Sequence, residues 1–179
     1  MTMPDQVPPT ADADLEAAVV AALEQAGARY EVLDCDPAFA DTAAFCARYG
    51  IDPGDSANAI LVATRREPKL HALCLVLATT RLDVNHAVAD LLGVRKLSFA
   101  SAEETAQVTG MVLGGVTPFG IPQAVPLYVD ARVVARPKVI IGGGSRAKKI
   151  RLDPEVFARA PGCRVVEGLA IERPPSSAA

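Results

Sequence analysis

Apolar residues recur at helical spacing in several parts of the chain, and each such run is flanked by a helix start or stop signal. The first run, residues 15–26, is followed by Gly27, a residue type that commonly ends helices. Further helices are predicted where capping residues precede apolar ones. They begin at Asp41–Thr42, Asp83, Ser101 and Asp153–Pro154, and they end before Gly50, at Leu92, before Gly110 and at about Arg159.

Other apolar segments are short and unbroken, or alternate with polar residues, as strands do. The runs 57–63 and 70–77 flank the polar residues 65–68, which predicts a hairpin whose strands are buried on both faces. Shorter strands are predicted at 29–33, 96–99, 127–129, 138–141, 149–152 and 164–167. Because tight turns join most strand pairs, we expect a mixed α/β (α+β) fold, with a central, mostly antiparallel mixed sheet flanked by helices.

Length and composition are those of one packed domain. The 179 residues suffice for one domain but not comfortably for two, and 50% of them are hydrophobic. We expect the domain to span residues 11–170, between mobile, proline-containing tails at 1–10 and 171–179. Since no apolar run is long enough to span a membrane and no signal peptide is recognisable, a cytoplasmic location is expected.

The charge of the chain limits how it can contact nucleic acid. Its 18 basic and 21 acidic side chains leave a net charge of -3, so any tRNA or DNA contact must be local. Aromatic residues make up only 4%, which argues against binding by base stacking. The one local basic cluster noted in the sequence could meet phosphates. It consists of Arg146, Lys148, Lys149 and Arg151.

The cysteines and histidines do not suggest a metal site or a cofactor. Four cysteines are widely spaced, and Cys74 lies in an apolar run, so they are interpreted as reduced core residues. His71 and His86 lie in different elements without the spacing of paired metal ligands. We therefore expect neither a metal nor a cofactor.

Two glycine-rich loops are the strongest candidates for a functional site. The first loop is residues 114–120, GGVTPFG, and the second loop is residues 142–146, GGGSR. Loops with so little side-chain bulk can aim amide N–H groups at a carbonyl oxygen or an anion, as acyl transfer requires. We expect the two loops to face each other across one cleft. Structural turns are the alternative interpretation.

The second loop also matches a dinucleotide-binding pattern. It follows an apolar strand, it reads G-x-G-x-x-A through Ala147, and Glu167 lies near the position of a ribose-binding acid. However, residues 149–152 alternate as a strand does, and Pro154 would interrupt the required helix at a cost of about 3 kcal/mol. A nucleotide-binding protein is therefore only the third interpretation.

Four segments, in order, resemble the YbaK/prolyl-tRNA synthetase editing-domain family. They are residues 57–62, 114–120, 127–130 and 142–150, and the resemblance extends from about residue 30 to 168. It implies the same sheet-and-helix architecture and an activity that hydrolyses the ester of a wrongly charged tRNA in trans. In the family the strand matching 57–62 carries a functional lysine, whereas this chain has Asn58, whose amide can only donate and accept hydrogen bonds.

The resemblance and the loops together define the predicted site. The catalytic candidates are Asn58, Gly114 and Gly115. The substrate-binding candidates are Thr117, Pro118, Phe119, Gly120, Gly144, Ser145, Arg146 and Lys149. The predicted function is that of an aminoacyl-tRNA deacylase with aminoacyl-tRNA as its partner. The alternative, motivated by Asn58 and the acidic balance, is a non-catalytic binding module for an amino acid or aminoacyl ester.

Overall fold

The computed structural model describes residues 10–121 and 125–173, which form one mixed α/β domain. The helices are α1 (Thr10–Gln25), α2 (Thr42–Tyr49), α3 (Ala89–Leu92), α4 (Ala102–Thr109) and α5 (Ala131–Val134). The strands are β1 (Tyr30–Asp34), β2 (Ala57–Ala63), β3 (His71–Leu77), β4 (Thr80–Leu82), β5 (Ser98–Phe99), β6 (Leu127–Asp130), β7 (Val139–Gly142), β8 (Lys148–Leu152), β9 (Cys163–Val166) and β10 (Ala170–Glu172). No helix in these ranges is long and apolar enough to cross a membrane.

The central sheet has five strands in the order β5-β2-β3-β6-β9, which confirms the predicted mixed sheet. Strand β2 pairs antiparallel with β5 and β3, whereas β6 pairs parallel with β3 and β9. The long connection from β3 to β6 contains α3 and α4, and such a crossover is what parallel pairing requires. An antiparallel sheet β1-β8-β7 and the pair β10-β4 complete the domain.

The core lies on both faces of β3, as the hairpin pattern predicts. Leu73 and Leu75 are fully buried in the larger apolar cluster, which also contains Val19 of α1. The intervening Cys74 and Val76 belong to a second cluster on the opposite face. A strand with neighbours on both sides and cover on both faces must be apolar at every position.

The elements that the sequence did not predict are short. Strands β4 and β10 have three residues each, and they pair although nearly 90 positions separate them. The segment expected as a helix at 154–159 is a 3-10 turn, Pro154–Ala158, and the one expected at 84–92 begins as a π turn, Val84–Val88. Periodicity cannot identify elements that contain fewer than two repeats of the pattern.

The expected domain limits at residues 11 and 170 both fall within elements. Helix α1 begins at Thr10, and β10 continues to Glu172. Of the predicted tails at 1–10 and 171–179, residues 1–9 and 174–179 lie outside the described residues.

The cysteines are free thiols, and burial strongly raises the pKa of two of them. Burial raises the pKa of Cys74 to about 12 and that of Cys163 to about 11. Because the thiolate is the nucleophilic form, neither side chain is poised for catalysis near neutral pH. Cys74 is a core residue, as its apolar surroundings predict.

Glu104 of α4 ties the β2–β3 hairpin to the helix. Its Oε1 accepts a hydrogen bond from Lys69 Nζ at 3.0 Å and lies 2.9 Å from His71 Nε2. The hydrogen bond with His71, followed by that with Lys69, lowers the pKa of Glu104 below its ordinary 4.5. The stabilisation is therefore fully present above the unfolded-state pKa and is lost as the pH falls through the lower folded-state pKa.

We expect Glu104→Gln to lower the free energy of unfolding by about 0.5–1 kcal/mol at neutral pH, because the charged partner of Lys69 and His71 is removed. The difference from the wild type should shrink as the pH falls through the lowered pKa of Glu104, where the wild-type carboxylate also loses its charge. Denaturant unfolding over a series of decreasing pH values measures it. Glu103→Gln, an exposed position on the same helix, is the control. A difference that is independent of pH would contradict the assignment.

Candidate functional site

The two glycine-rich loops contact each other backbone to backbone. The amide of Gly144 donates to the carbonyl of Gly115 at 2.8 Å. A Cβ on Gly142 would lie 2.2 Å from the carbonyl oxygen of Val116, and one on Gly115 would lie 2.7 Å from the backbone of Ser145. No side chain fits at either distance, so glycine is required for the loops to meet. The two loops are therefore neighbours, as expected, but they touch each other directly instead of facing each other across a cleft.

Arg146 connects the second loop to two other segments. Its Nη1 donates to the Asp41 carboxylate at 3.0 Å and to the Leu113 carbonyl at 2.7 Å. Its Nε and Nη2 donate to the carbonyl of Pro37 at 3.1 and 2.9 Å. The planar fork of donors is therefore largely used within the protein, where it holds the residue before α2 against the start of the first loop.

Lys149, on β8, also contacts the first loop. The side chain is buried, and its Nζ donates to the carbonyls of Ala40 at 2.6 Å and Gly114 at 2.9 Å. It also lies 5.3 Å from the centre of the Phe45 ring, a favourable cation–π position. Burial lowers the pKa of Lys149 from its ordinary value. Because an ammonium carries three donors, one N–H remains for a ligand.

A small cleft of about 70 Å³ opens where these segments meet. Asn58 of β2, Gly114 of the first loop and Lys149 of β8 all line it, so residues distant in sequence share one site. The other lining residues are Thr42, Ser56, Ala57, Ala59, Leu113, Val116, Ile140, Ile141 and Gly142. Because Thr42 and Asn58 also border a neighbouring cavity of about 480 Å³, the two spaces adjoin.

The cleft presents hydrogen-bond donors from several directions. Asn58 Oδ1 accepts a hydrogen bond from the Thr42 hydroxyl, which turns the amide nitrogen and its two protons to other partners. The amide of Gly114 has no acceptor among the described residues. The amide of Gly115, by contrast, donates to the carbonyl of Val112 at 2.9 Å. Of the two amides expected to hold a carbonyl oxygen, the Gly115 amide is therefore already used, and the Gly114 amide is left without an acceptor among the described residues.

Residues 117–120 of the first loop do not line the cleft. Pro118, Phe119 and Gly120 line a separate cavity of about 450 Å³ beside α1. Thr117 is fully buried, and its hydroxyl has no hydrogen-bond partner within residues 10–121 and 125–173. These four predicted substrate-binding residues are not brought together with Asn58.

Gly144 and Ser145 of the second loop pack on α1. A Cβ on Gly144 would lie 2.8 Å from Val19, and the buried Ser145 hydroxyl donates to Glu16 at 2.5 Å. Neither residue lines the cleft. Of the residues predicted to bind substrate, only Lys149 lines it, while Arg146 contacts its rim through Leu113.

The predicted basic cluster is not one open surface. Lys149 is buried, and the period-two alternation of β8 directs Lys148 to the opposite face of the sheet. Lys148 pairs with Asp34, and Arg151 lies 3.4 Å from Glu31. Arg146 pairs with Asp41. The expectation that these four residues meet phosphates together is corrected accordingly.

The chemistry of the cleft is that of neutral donors and one ammonium. No His, Asp, Glu or Cys is among the described residues that line it. Across those residues no group of three or more such side chains could hold a metal ion. The site can therefore bind and polarise a carbonyl oxygen or an anion, but it supplies no evident general base.

The sequence does not identify Thr42, or most of the other residues that line the cleft, as part of a site. It marks Thr42 only as the start of a helix, and the contact of Thr42 with Asn58 spans 16 residues. No spacing rule links these two positions, since the contact depends on how α2 packs against β2. The capping pattern at Asp41–Thr42 was the only local signal.

Comparison with known proteins is consistent with this geometry. The family model described as aminoacyl-tRNA editing domain matches residues 36–160. The structure of hypothetical protein APE2540 superposes with a TM-score of 0.76 at 23% identity, covering 86% of this chain and 99% of the other. A protein proposed to be a trans-editing enzyme for prolyl tRNA synthetase has a TM-score of 0.72 at 24% identity, covering 94% and 100%. At these identities the two structures establish a shared fold.

Gly142→Ala should lower the free energy of unfolding by about 2–4 kcal/mol, because its Cβ would overlap the backbone of the first loop. Gly54→Ala is the matched control, since the nearest atom there is a movable Asp52 side chain at 3.3 Å. Denaturant unfolding of both variants gives the comparison. Equal effects at the two positions would mean that the loops are not in contact.

Lys149→Met should cost about 2–3 kcal/mol of stability, because it leaves the carbonyls of Ala40 and Gly114 without their donor. The substitution keeps most of the side-chain volume, so lost packing contributes little. Lys138→Met, at an exposed position, should change stability by less than about 0.5 kcal/mol. Thermal and denaturant unfolding measure both. Similar stabilities for the two variants would contradict this role of the ammonium.

Proposed function

We propose, because this chain belongs to the family of aminoacyl-tRNA editing domains, that it is a trans-acting deacylase that hydrolyses the ester of misacylated tRNA. One observation carries the proposal: Asn58, Gly114 and Lys149 line a single cleft. Each has a donor that the rest of the described chain leaves available. An ester carbonyl in this cleft would be surrounded by N–H groups.

The donors match the charge that ester hydrolysis creates. When water adds to the carbonyl carbon, negative charge develops on the carbonyl oxygen, and a preorganised donor can lower the barrier by about 2.7–4 kcal/mol. Lys149 is preorganised because two carbonyls already hold its ammonium. In this proposal Lys149 on β8 supplies the positive charge that the related family carries on the strand of Asn58.

The proton transfers in this proposal depend on the substrate. Because no imidazole or carboxylate is among the described residues of the cleft, the free hydroxyl of the terminal ribose orients and activates the attacking water. The water oxygen bonds to the carbonyl carbon, and the bond from that carbon to the ribose oxygen breaks. The ribose oxygen takes up the proton that the water loses. The products are a free amino acid and tRNA.

The two adjoining spaces suit the two parts of such a substrate. The cleft of about 70 Å³ would hold the acyl group, and the cavity of about 480 Å³ would hold the terminal nucleoside. Asn58 and Thr42 border both spaces, so the ester would lie beside the Asn58 amide. The carboxamide would then orient the ester as well as polarise it.

The second candidate function is a binding module for an amino acid or aminoacyl ester. The lack of a general base in the described cleft favours it. Thermal-shift measurements with free amino acids and nonhydrolysable aminoacyl-adenosine analogues distinguish the two functions when they are run beside the deacylation assay. A pure binder is stabilised by the ligand but releases no product.

With a panel of misacylated tRNAs, we expect the wild type to release free amino acid from at least one pair. Asn58→Ala should lower kcat/KM for that substrate by roughly 10²-fold, the typical effect of losing one carbonyl-oxygen donor. Gln107→Ala, which removes an exposed carboxamide on α4, should have no effect. Release no faster than in buffer for every pair would reject the enzyme. An Asn58→Ala variant with the wild-type kcat/KM would reject the assigned site.

A further inference from the structure

A group of exposed basic side chains lies at the end of β2 farthest from the cleft. Arg65 and Arg66 belong to the turn between β2 and β3, and Arg95 and Lys96 precede β5. We call these four residues the basic surface. They are separate from the cluster near the second loop, and the proposed site does not use them.

Strand pairing brings the two halves of the basic surface together. Ala63 pairs with Ser98 in the antiparallel register of β2 and β5. Arg65 and Lys96 each lie two residues beyond this pair, at the same end of β2 and β5. The hairpin that carries Arg65 is also fastened to α4 through the contacts of Lys69 with Glu104. The basic surface is therefore formed by folding and is held in place.

Positive charge predominates at this location. Within the described ranges, none of the four side chains forms an ion pair. Of the acidic residues on the hairpin turn and α4, Glu67 accepts a hydrogen bond from the Lys69 amide and Glu104 contacts Lys69 and His71, while Glu103 is exposed. On a chain with net charge -3, an unpaired basic group is a local attraction for a polyanion.

Phe99 lies between the basic surface and the cleft. It pairs with Val62 on the edge strand β5, and 59% of it is exposed, more than any other large apolar residue in the described chain. At about 3.3 Å per residue along β2, the level of Phe99 is about 13 Å from Asn58, and that of Arg65 is about 23 Å. Cleft, aromatic ring and basic surface thus follow one strand.

We propose that Phe99 and the basic surface bind the acceptor arm of tRNA, an inference that rests on the proposed function. Arginine and lysine side chains bind phosphates, and exposed aromatic rings stack on unpaired bases. At about 3.4 Å per stacked nucleotide, Phe99 is roughly four nucleotides from an ester held at Asn58, and the basic surface is roughly seven. Phe99 therefore contacts the unpaired 3′ end, and the basic surface contacts the backbone of the paired stem.

Binding of uncharged tRNA, measured as a function of salt concentration, tests the basic surface. Two variants are compared with the wild type: Arg65→Ser with Arg66→Ser, and Arg95→Ser with Lys96→Ser. Each should weaken binding on the order of ten-fold at about 0.1 M salt and reduce the slope of log affinity against log salt by roughly 0.7–0.9 for each phosphate that is no longer neutralised. The matched control is Arg29→Ser with Arg164→Ser, which removes two exposed charges elsewhere, one of them on β9 at the opposite edge of the sheet.

Short RNAs test the order of the contacts along β2. Phe99→Ser should weaken binding both to the single-stranded 3′ tail alone and to a hairpin bearing that tail. The two arginine and lysine variants should weaken binding to the hairpin only, because the tail is too short to reach the basic surface. An unfolding temperature equal to that of the wild type establishes that each variant is folded.

Wild-type affinity and salt dependence in both double variants would overturn the inference. So would equal losses in the control, or loss of tail binding in the double variants. If the double variants keep wild-type tRNA binding but lose binding to an acidic protein, the surface is assigned to a protein partner instead. Because uncharged tRNA is used, absence of deacylation alone rejects the proposed function, and unaffected tRNA binding alone rejects this surface.

Discussion

The site depends on direct backbone contact between the first and second loops. Glycine at the points of closest approach leaves no side chain in the way. Gly142 and Gly115 allow the second and first loops to approach within distances that any Cβ would prevent. The hydrogen bond from Gly144 to Gly115 then fixes their relative position. Because Gly114, Val116 and Gly142 line the cleft, this contact forms one of its walls. The glycines are needed for close approach rather than for flexibility.

The positive charge in the cleft belongs to the buried side chain of Lys149, and hydrogen bonds offset the cost of burying it. Lys149 would be costly to bury alone, but two carbonyls and the face of Phe45 surround its ammonium. The arrangement leaves Asn58 free to donate from its amide nitrogen without a neighbouring charge on its own strand. A cation on β8 and a neutral amide on β2 thus line the same cleft.

Much of the fold follows from local patterns. The unbroken apolar run of β3, the helical spacing in α1 and the glycine after α2 each correspond to the observed element because local pattern and capping determine it. The pairings that give the domain its topology are not local. The parallel alignment of β6 with β3, and the pairing of β4 with β10, depend on burial across the whole domain. Such contacts leave no trace in a short window of sequence.

Two glycine-rich loops and the strand of Asn58 can be recognised as the chemically distinctive segments without a structure, because glycine content and motif order are visible along the chain. Which of their groups are available becomes clear only from the packing of the folded domain. The Gly115 amide is taken by Val112, Arg146 is used to hold Pro37 and Leu113, and Lys149 is turned inward. Whether a donor is free depends on the acceptors that packing brings to it, and those acceptors come from distant parts of the chain.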